Sequence, residues 1–266
     1  KKLEKLRHAL GSDAAALPTI VVDSFDELKL NDVAAKTRVV ITTVGPYAKY
    51  GSSLVAACVA NGTHYCDLAG EAQWIRNMID THHEAAAKSG ARIVHCCGFD
   101  SVPMDIGVWF LQEEAKRRHG AYCESIAMLV KAMRGGPSGG TIASILNLIK
   151  EARADRDVAR VLADPYALNP PGQRKGPDGP DQRAPRWDPD VGSWTAPFVM
   201  AAVNTRVVRR SNCTPRRSSR PDTRRDTTDL AAPSSSAAPV KLPASTTATN
   251  ACKSSNLSIL LLFAEQ

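Results

Sequence analysis

Four short clusters carry the groups in this chain that can bind a ligand or hold charge. "VVITTVGPY" ends an apolar run in Gly45, Pro46 and Tyr47; "YCDLAGE" sets Asp67 and Glu71 around Gly70; "HCCGFDSVPMD" places Gly98, Phe99 and Asp100 behind another apolar run. A glycine lets backbone approach a ligand closely, and a proline directs the chain where no ladder N–H is needed. A tyrosine such as Tyr47 can lie against a nucleotide, and carboxylates placed just after strand ends line the crevice in which open parallel sheets bind ligands. Taken alone, the first cluster reads equally as a tight strand-to-helix turn. The fourth cluster, "MRGGPSGGTIAS", offers amides and a helix N-terminus to an anion or a substrate carbonyl, with Arg134, Ser138, Gly139, Gly140 and Thr141 as substrate-side positions. The same loop also reads as a plain sheet-to-helix connection.

Metal chemistry is not expected. His64, Cys66, His95, Cys96 and Cys97 lie near strand ends, but there is no C-x-x-C pair, and adjacent Cys96 and Cys97 alternate across a strand. His82 and His83 lie on a helix with no ligand four residues on. Seven scattered cysteines without a secretory framework suggest packed, reduced thiols in an intracellular protein.

The elements that must position these clusters alternate. Leu3, Leu6 and Leu10 recur at helical spacing before Gly11; "TIVVDS" is a β-branched run; Ser24 and Glu27 predict a capping box for a second helix. A strand over 38–44 follows, then a helix from Ser52 or Ser53 to Ala60 closed by Asn61-Gly62. Next come the strand "THYCDL", an amphipathic helix from Glu71 to Ser89 closed by Gly90, and the strand "RIVHCCG". Asp100 or Ser101 is placed to cap a helix beginning near Pro103, and a long helix is expected from Thr141 to about Ala163. Strict strand–helix alternation with apolar strands predicts an α/β fold, a parallel sheet with helices on both faces. The first three clusters then fall together at its carboxyl edge. Residues 164–194 form a Pro/Gly-rich loop, and "WTAPFVMAAVNTRVVRR" reads as further sheet, the start of a substrate-side domain.

The net charge of +7 is local: between Arg206 and Arg225 eight arginines stand with a single aspartate, Asp222. From Cys213 to Ser258 there is no aromatic residue, and Ser, Thr, Pro, Ala and Arg dominate, so a disordered tail is expected over 213–266. Nucleic acid is not an expected partner, because the basic residues are one segment and not a face. The apolar run Ile259–Phe263 is far too short to span a bilayer.

"VVITTVGPYAKYGSSLVAACVANGTHYCDLAGE", "GARIVHCCGFDSVPMDIG" and "GGPSGGTIAS", continuing through "DPYALNP" to "VNTRVVRRSN", resemble the saccharopine dehydrogenase-like oxidoreductases, in the branch of the trans-acting enoyl reductases, over roughly residues 1–212. The resemblance implies a Rossmann-like domain over 1–120 and part of a second α+β, substrate-side domain over 121–212. It implies NADP or NAD as cofactor, with NADPH favoured, and reduction of an enoyl group on a lipid or carrier-bound intermediate in lipid or glycolipid biosynthesis. Thr43, Gly45, Pro46, Tyr47, Asp67, Gly98, Phe99 and Asp100 are then the cofactor-side positions. Partners implied are a small-molecule or lipid-linked substrate, a membrane or lipid-droplet surface, and a second copy of the chain in a homo-oligomer; the setting implied is cytoplasmic or lipid-associated.

Two departures qualify the resemblance. Family members open on a strand and a glycine turn that holds the pyrophosphate, then a strand that selects NAD or NADP; this sequence starts on the helix after them and is expected to lack that first βαβ unit. After Asn212 the family pattern gives way to the Ser/Thr/Arg/Pro tail, as a shifted frame or misplaced exon boundary would produce. A non-catalytic protein that touches membranes or nucleic acid through the arginine-rich segment is the alternative reading.

Overall fold

A computed structural model describes residues 5, 8–11, 18–123, 125–132, 135–212 and 258–264. The chain divides into two compact units, one of residues 1–98 with 137–163 and one of 99–136 with 164–266. The division falls at Gly98 and re-enters at Pro137, rather than at residue 120.

The first unit holds α1 (Glu27–Ala35), β1 (Val39–Thr42), α2 (Tyr47–Tyr50), α3 (Ser52–Ala60), β2 (His64–Asp67), α4 (Ala72–Ser89), β3 (Ile93–Val94), α6 (Gly139–Ala154) and α7 (Arg156–Ala163). The three strands are parallel in the order β1-β2-β3, with Val39 opposite His64, Thr42 opposite Asp67 and Cys66 opposite Val94. Helix α1 packs on α3, and α3 on both α4 and β2, so these helices form a layer on the face where Tyr65 and Asp67 are buried. Leu30, Ala34, Val55, Cys58, Val59, Trp74, Ile75 and Met78 make the core between them. Val39, Ile41 and Val94 stand exposed on the strands, against the expectation of strands buried on both faces.

Local chemistry explains where elements start and stop. Asp26, not Ser24, caps α1, its carboxylate accepting from the Lys29 amide at 3.1 Å. Ser52 does not cap α3; its hydroxyl accepts from Trp74 Nε1 at 3.0 Å, and the N-cap is Gly51. A Cβ on Gly51 would sit 2.7 Å from the Trp74 ring, so only glycine lets α2, α3 and α4 approach so closely. Gly90, at φ 77°, closes α4 as expected. "TIVVDS" forms no strand: Ile20 and Val21 are exposed, and the ladder runs β1-β2-β3 without them. The expected helix from Thr141 to Ala163 is two, broken at Asp155, whose extended backbone ends α6 and whose carboxylate accepts from the Asp157 amide at 2.7 Å.

The second unit contains α5 (Val102–His119), β4 (Ser125–Ala132), β5 (Arg186–Asp188), β6 (Ser193–Thr195), α8 (Ala201–Asn212) and β7 (Ser258–Ala264). The segment "MAAVNTRVVRR", expected as sheet, is helical from Ala201, with Met200, Val203 and Val207 at helical spacing and the Asn204 amide donating to Met200 O at 2.9 Å. Tertiary hydrogen bonds from Asn204 and Arg206 override the β preference of its valines. β5 and β6 form a short hairpin within the expected loop 164–194, with Trp187 opposite Trp194. Of the tail expected to be disordered, residues 258–264 pair in parallel with β4 as β7, and 213–257 lie outside the described residues.

Candidate functional site

The carboxyl ends of β1, β2 and β3 are held by two buried carboxylates. Asp67, 0% exposed, ends β2 and accepts four hydrogen bonds: from Tyr65 Oη at 3.0 Å, from the amides of Ala69 at 2.9 Å and Cys96 at 3.1 Å, and from His95 Nδ1 at 2.6 Å. Tyr65 and Asp67 share a face because they are two residues apart on one strand. The Cys97 amide donates to Asp67 O at 2.7 Å, reached through Cys96 at φ 62°. This turn ends β3 at Val94, so "RIVHCCG" is a shorter strand than expected.

Glu71, 2% exposed, is the N-cap of α4 and joins three elements. It accepts from the amides of Tyr47 and Ala48, both at 2.8 Å, and from Ser144 Oγ of α6 at 2.9 Å. The amides are the first two of α2, which intrahelical bonds leave without partners, so the carboxylate replaces a side-chain cap that Pro46 cannot supply. Hydrogen bonds to a charged acceptor contribute about 1.5–3 kcal/mol each.

Tyr47 is an internal strut and not an exposed platform. Its hydroxyl donates to Thr42 O and accepts from the Leu68 amide, both at 3.2 Å, and its ring stacks on Trp74 with centroids 5.6 Å apart. It thereby ties the ends of β1 and β2 together. Burial pushes the phenol of Tyr47 up, as it does that of Tyr65, where the neighbouring Asp67 adds to the shift. Trp74 also meets the His95 ring edge-on at 5.1 Å.

What this framework leaves at the edge are the exposed Thr43, Val44 and Leu68, with Gly45 and Gly98. A Cβ on Gly98 would lie 3.2 Å from Leu68 Cδ2, so glycine permits the close passage of the strand-end loops. Pro46 is buried behind a cis peptide bond from Gly45. The structure thus groups Thr43, Gly45, Pro46, Tyr47, Asp67 and Gly98 in one unit. Phe99, 72% exposed, and Asp100 belong to the other unit. Asp100 caps nothing with its side chain; its carbonyl accepts from Asn204 Nδ2 at 2.7 Å, and the α5 N-cap is Ser101, whose hydroxyl donates to Asn204 Oδ1 at 2.8 Å.

In the glycine-rich cluster, Ser138 caps α6, its hydroxyl accepting from the Thr141 amide at 3.2 Å and lying 3.0 Å from the Thr141 hydroxyl. Gly139 and Gly140 are the first two helical residues, and Arg134 lies outside the described residues. Residue spacing had not singled out Tyr65, Trp74, His95 or Ser144 as parts of the site. A signal was present for Tyr65, two residues before Asp67 on a strand. Among the described residues no three His, Cys, Asp or Glu side chains gather as a metal site, and no helix is long and apolar enough to cross a membrane.

Residues 1–94 match the family described as the saccharopine dehydrogenase NADP binding domain. A Mycobacterium tuberculosis relative (strain H37Rv), assigned by name to the trans-acting enoyl reductases, is 47% identical over 213 residues, 78% of this chain and 51% of that protein. The trans-acting enoyl reductase of Mycobacterium leprae is 41% identical over 219 residues, 80% of this chain and 52% of its own length. A Mycobacterium bovis protein of the same name is likewise 41% identical over 219 residues. The chain spans about half the length of the curated relatives it matches. No solved structure matches.

Proposed function

We propose that this chain, a relative of the trans-acting enoyl reductases within the saccharopine dehydrogenase-like oxidoreductases, is part of an NADPH-dependent reductase of enoyl groups carried on a lipid or a carrier. The observation that carries the reading is the carboxyl edge of the β1-β2-β3 sheet, lying in and just beyond the region that matches an NADP-binding family. Buried Asp67 and Glu71 fix the loops there and leave a hydroxyl, two apolar side chains and two glycines facing outward.

Those groups fit part of a dinucleotide. Thr43 is placed for a ribose hydroxyl, and Val44 and Leu68 offer apolar surface to a ring. Gly45 and Gly98 keep side chains out of the way. Segments 42–46, 67–71 and 95–98 contain no Lys or Arg, so phosphate contacts from this edge come from backbone N–H groups. NADPH supplies the hydride when bound; the chain orients it and excludes water. An acceptor carried on a lipid implies work at a lipid surface.

The arginine-rich alternative loses part of its basis, because Arg206, Arg209 and Arg210 hydrogen-bond within their own unit. The test is fluorescence titration of the 266-residue chain with NADPH and with NADH, followed by NADPH oxidation on adding a long-chain 2-enoyl thioester. Saturable NADPH binding, tighter than NADH, with enoyl-dependent oxidation is expected. Equal, non-saturable signals for both nucleotides would overturn the reading.

A further inference from the structure

Reduction of an enoyl group needs a proton as well as a hydride, and the geometry points to His95 as the proton donor. We infer that His95, its Nδ1 fixed on Asp67, presents Nε2 to the α carbon of the enoyl substrate; this rests on the reductase reading above. The imidazole stands one residue past β3, at the carboxyl edge of the sheet to which the reductase reading assigns the nucleotide. Its side chain is 8% exposed. Nδ1 is committed to the Asp67 carboxylate at 2.6 Å, while Nε2 takes no hydrogen bond among the described residues.

Asp67 cannot turn away, because Tyr65 Oη and the amides of Ala69 and Cys96 hold both its oxygens. The ring plane is held too: Trp74 and Tyr65 meet it edge-on, with centroids 5.1 and 5.9 Å away. A buried carboxylate on Nδ1 with a free Nε2 is the arrangement that fixes the ring's orientation and aims its second nitrogen. Other acids nearby are committed. Tyr47 and Tyr65 spend their hydroxyl protons on Thr42 O and Asp67, and burial pushes the Cys97 thiol up to about 11.

The step balances as follows. Bound NADPH would supply the hydride that forms the C–H bond at the β carbon, leaving NADP+. The Nε2–H bond of imidazolium breaks, the α C–H bond forms, and the N–H electron pair stays on nitrogen. Neutral imidazole then takes a proton from water.

Two substitutions separate proton donation from a structural role. His95→Asn keeps an amide N–H near the position of Nδ1 to satisfy Asp67 but has nothing at the position of Nε2. His95→Gln reaches the Nε2 position with a group that cannot ionise. NADPH is titrated by fluorescence, turnover is followed with a long-chain 2-enoyl N-acetylcysteamine thioester in D2O, and the ring nitrogens of the unsubstituted chain are observed by long-range 1H–15N NMR. Expected are a proton on Nδ1, deuterium at the product α carbon, and NADPH affinity within about threefold in both variants with turnover at least ~100-fold lower. An unprotonated Nδ1, or full turnover in His95→Asn, overturns the proposal while leaving the reductase reading intact. Loss of NADPH binding in the unsubstituted chain overturns both.

Discussion

Asp67 and Arg206 are both almost wholly buried, and they hold loops in opposite ways. Asp67, like Glu71, is an acceptor that gathers backbone N–H groups where strands end and helices begin. Arg206, Arg209 and Arg210 are donors: Arg209 reaches the loop carbonyl of Pro165 at 3.2 Å and Arg210 that of Leu168, while Arg206 donates to Ala202 O of its own helix. Arg206 is also paired with Asp181 at 3.0 Å, and Arg209 lies over the Tyr166 ring at 5.4 Å. The difference follows from the backbone each must satisfy. Parallel strand ends turning into helices expose N–H groups, whereas a proline-rich connection such as 164–182 has carbonyls in excess of amides. The acidic pattern fixes the turns at the carboxyl edge of the sheet, and the basic one ties a long loop to a helix.

Removing the central acceptor has the largest expected effect. Asp67→Ala strands a phenol, two amides and an imidazole, and should cost about 3–5 kcal/mol in denaturant unfolding, with hydrogen-exchange protection lost first at the Ala69 and Cys96 amides. A loss below 1 kcal/mol would show that the carboxylate is dispensable to the turn. Arg206→Met retains the packing of the stem but not the ion pair, and about 2–3 kcal/mol should go, less than for Asp67 because Asp181 keeps 22% of its side-chain surface in water. Should the arginine variant be the more damaging, the comparison is inverted. Glu71→Gln keeps one acceptor oxygen of two and sets an NH2 group against an amide, so about 1–2 kcal/mol is expected, with faster exchange at Tyr47 or Ala48.

The smallest effect is an alkaline one. Burial pushes the Cys58 and Cys97 thiols up to about 11, with Cys66 and Asp67 adding to the shift at Cys97. A thiol raised in the folded state stabilises fully below its ordinary value of 9.0, and that stability is lost as pH rises from there through about 11. Melting temperature should therefore fall between pH 9 and 11, and fall less in Cys97→Ala. Identical slopes in the two proteins would remove Cys97 from the account.

Much of the first unit was legible because its signals are local. Gly90 after a periodic run, the "THYCDL" strand and the Ala-rich stretch ending at Asn61-Gly62 each specify their element within a few residues. Where tertiary partners decide, local sequence is silent. "TIVVDS" has strand composition but no ladder partner, and the valines of α8 prefer strand while Asn204 and Arg206 anchor a helix. At the site, the strand-end position of Asp67 and Glu71 was visible, but their partners were not: Ser144 lies 73 residues from Glu71, and His95 lies 28 from Asp67. Tyr47 was expected to face a nucleotide and instead braces the sheet, a role that depends on Trp74 stacking from another helix.

The most direct test of the claim that the β1-β2-β3 carboxyl edge takes the nucleotide is backbone amide NMR mapping with NADPH. Saturable shifts are expected at Thr43, Val44, Gly45, Leu68 and Gly98, with little change along α7. Shifts concentrated in α6 and α7, with Thr43, Val44 and Leu68 unmoved, would contradict it.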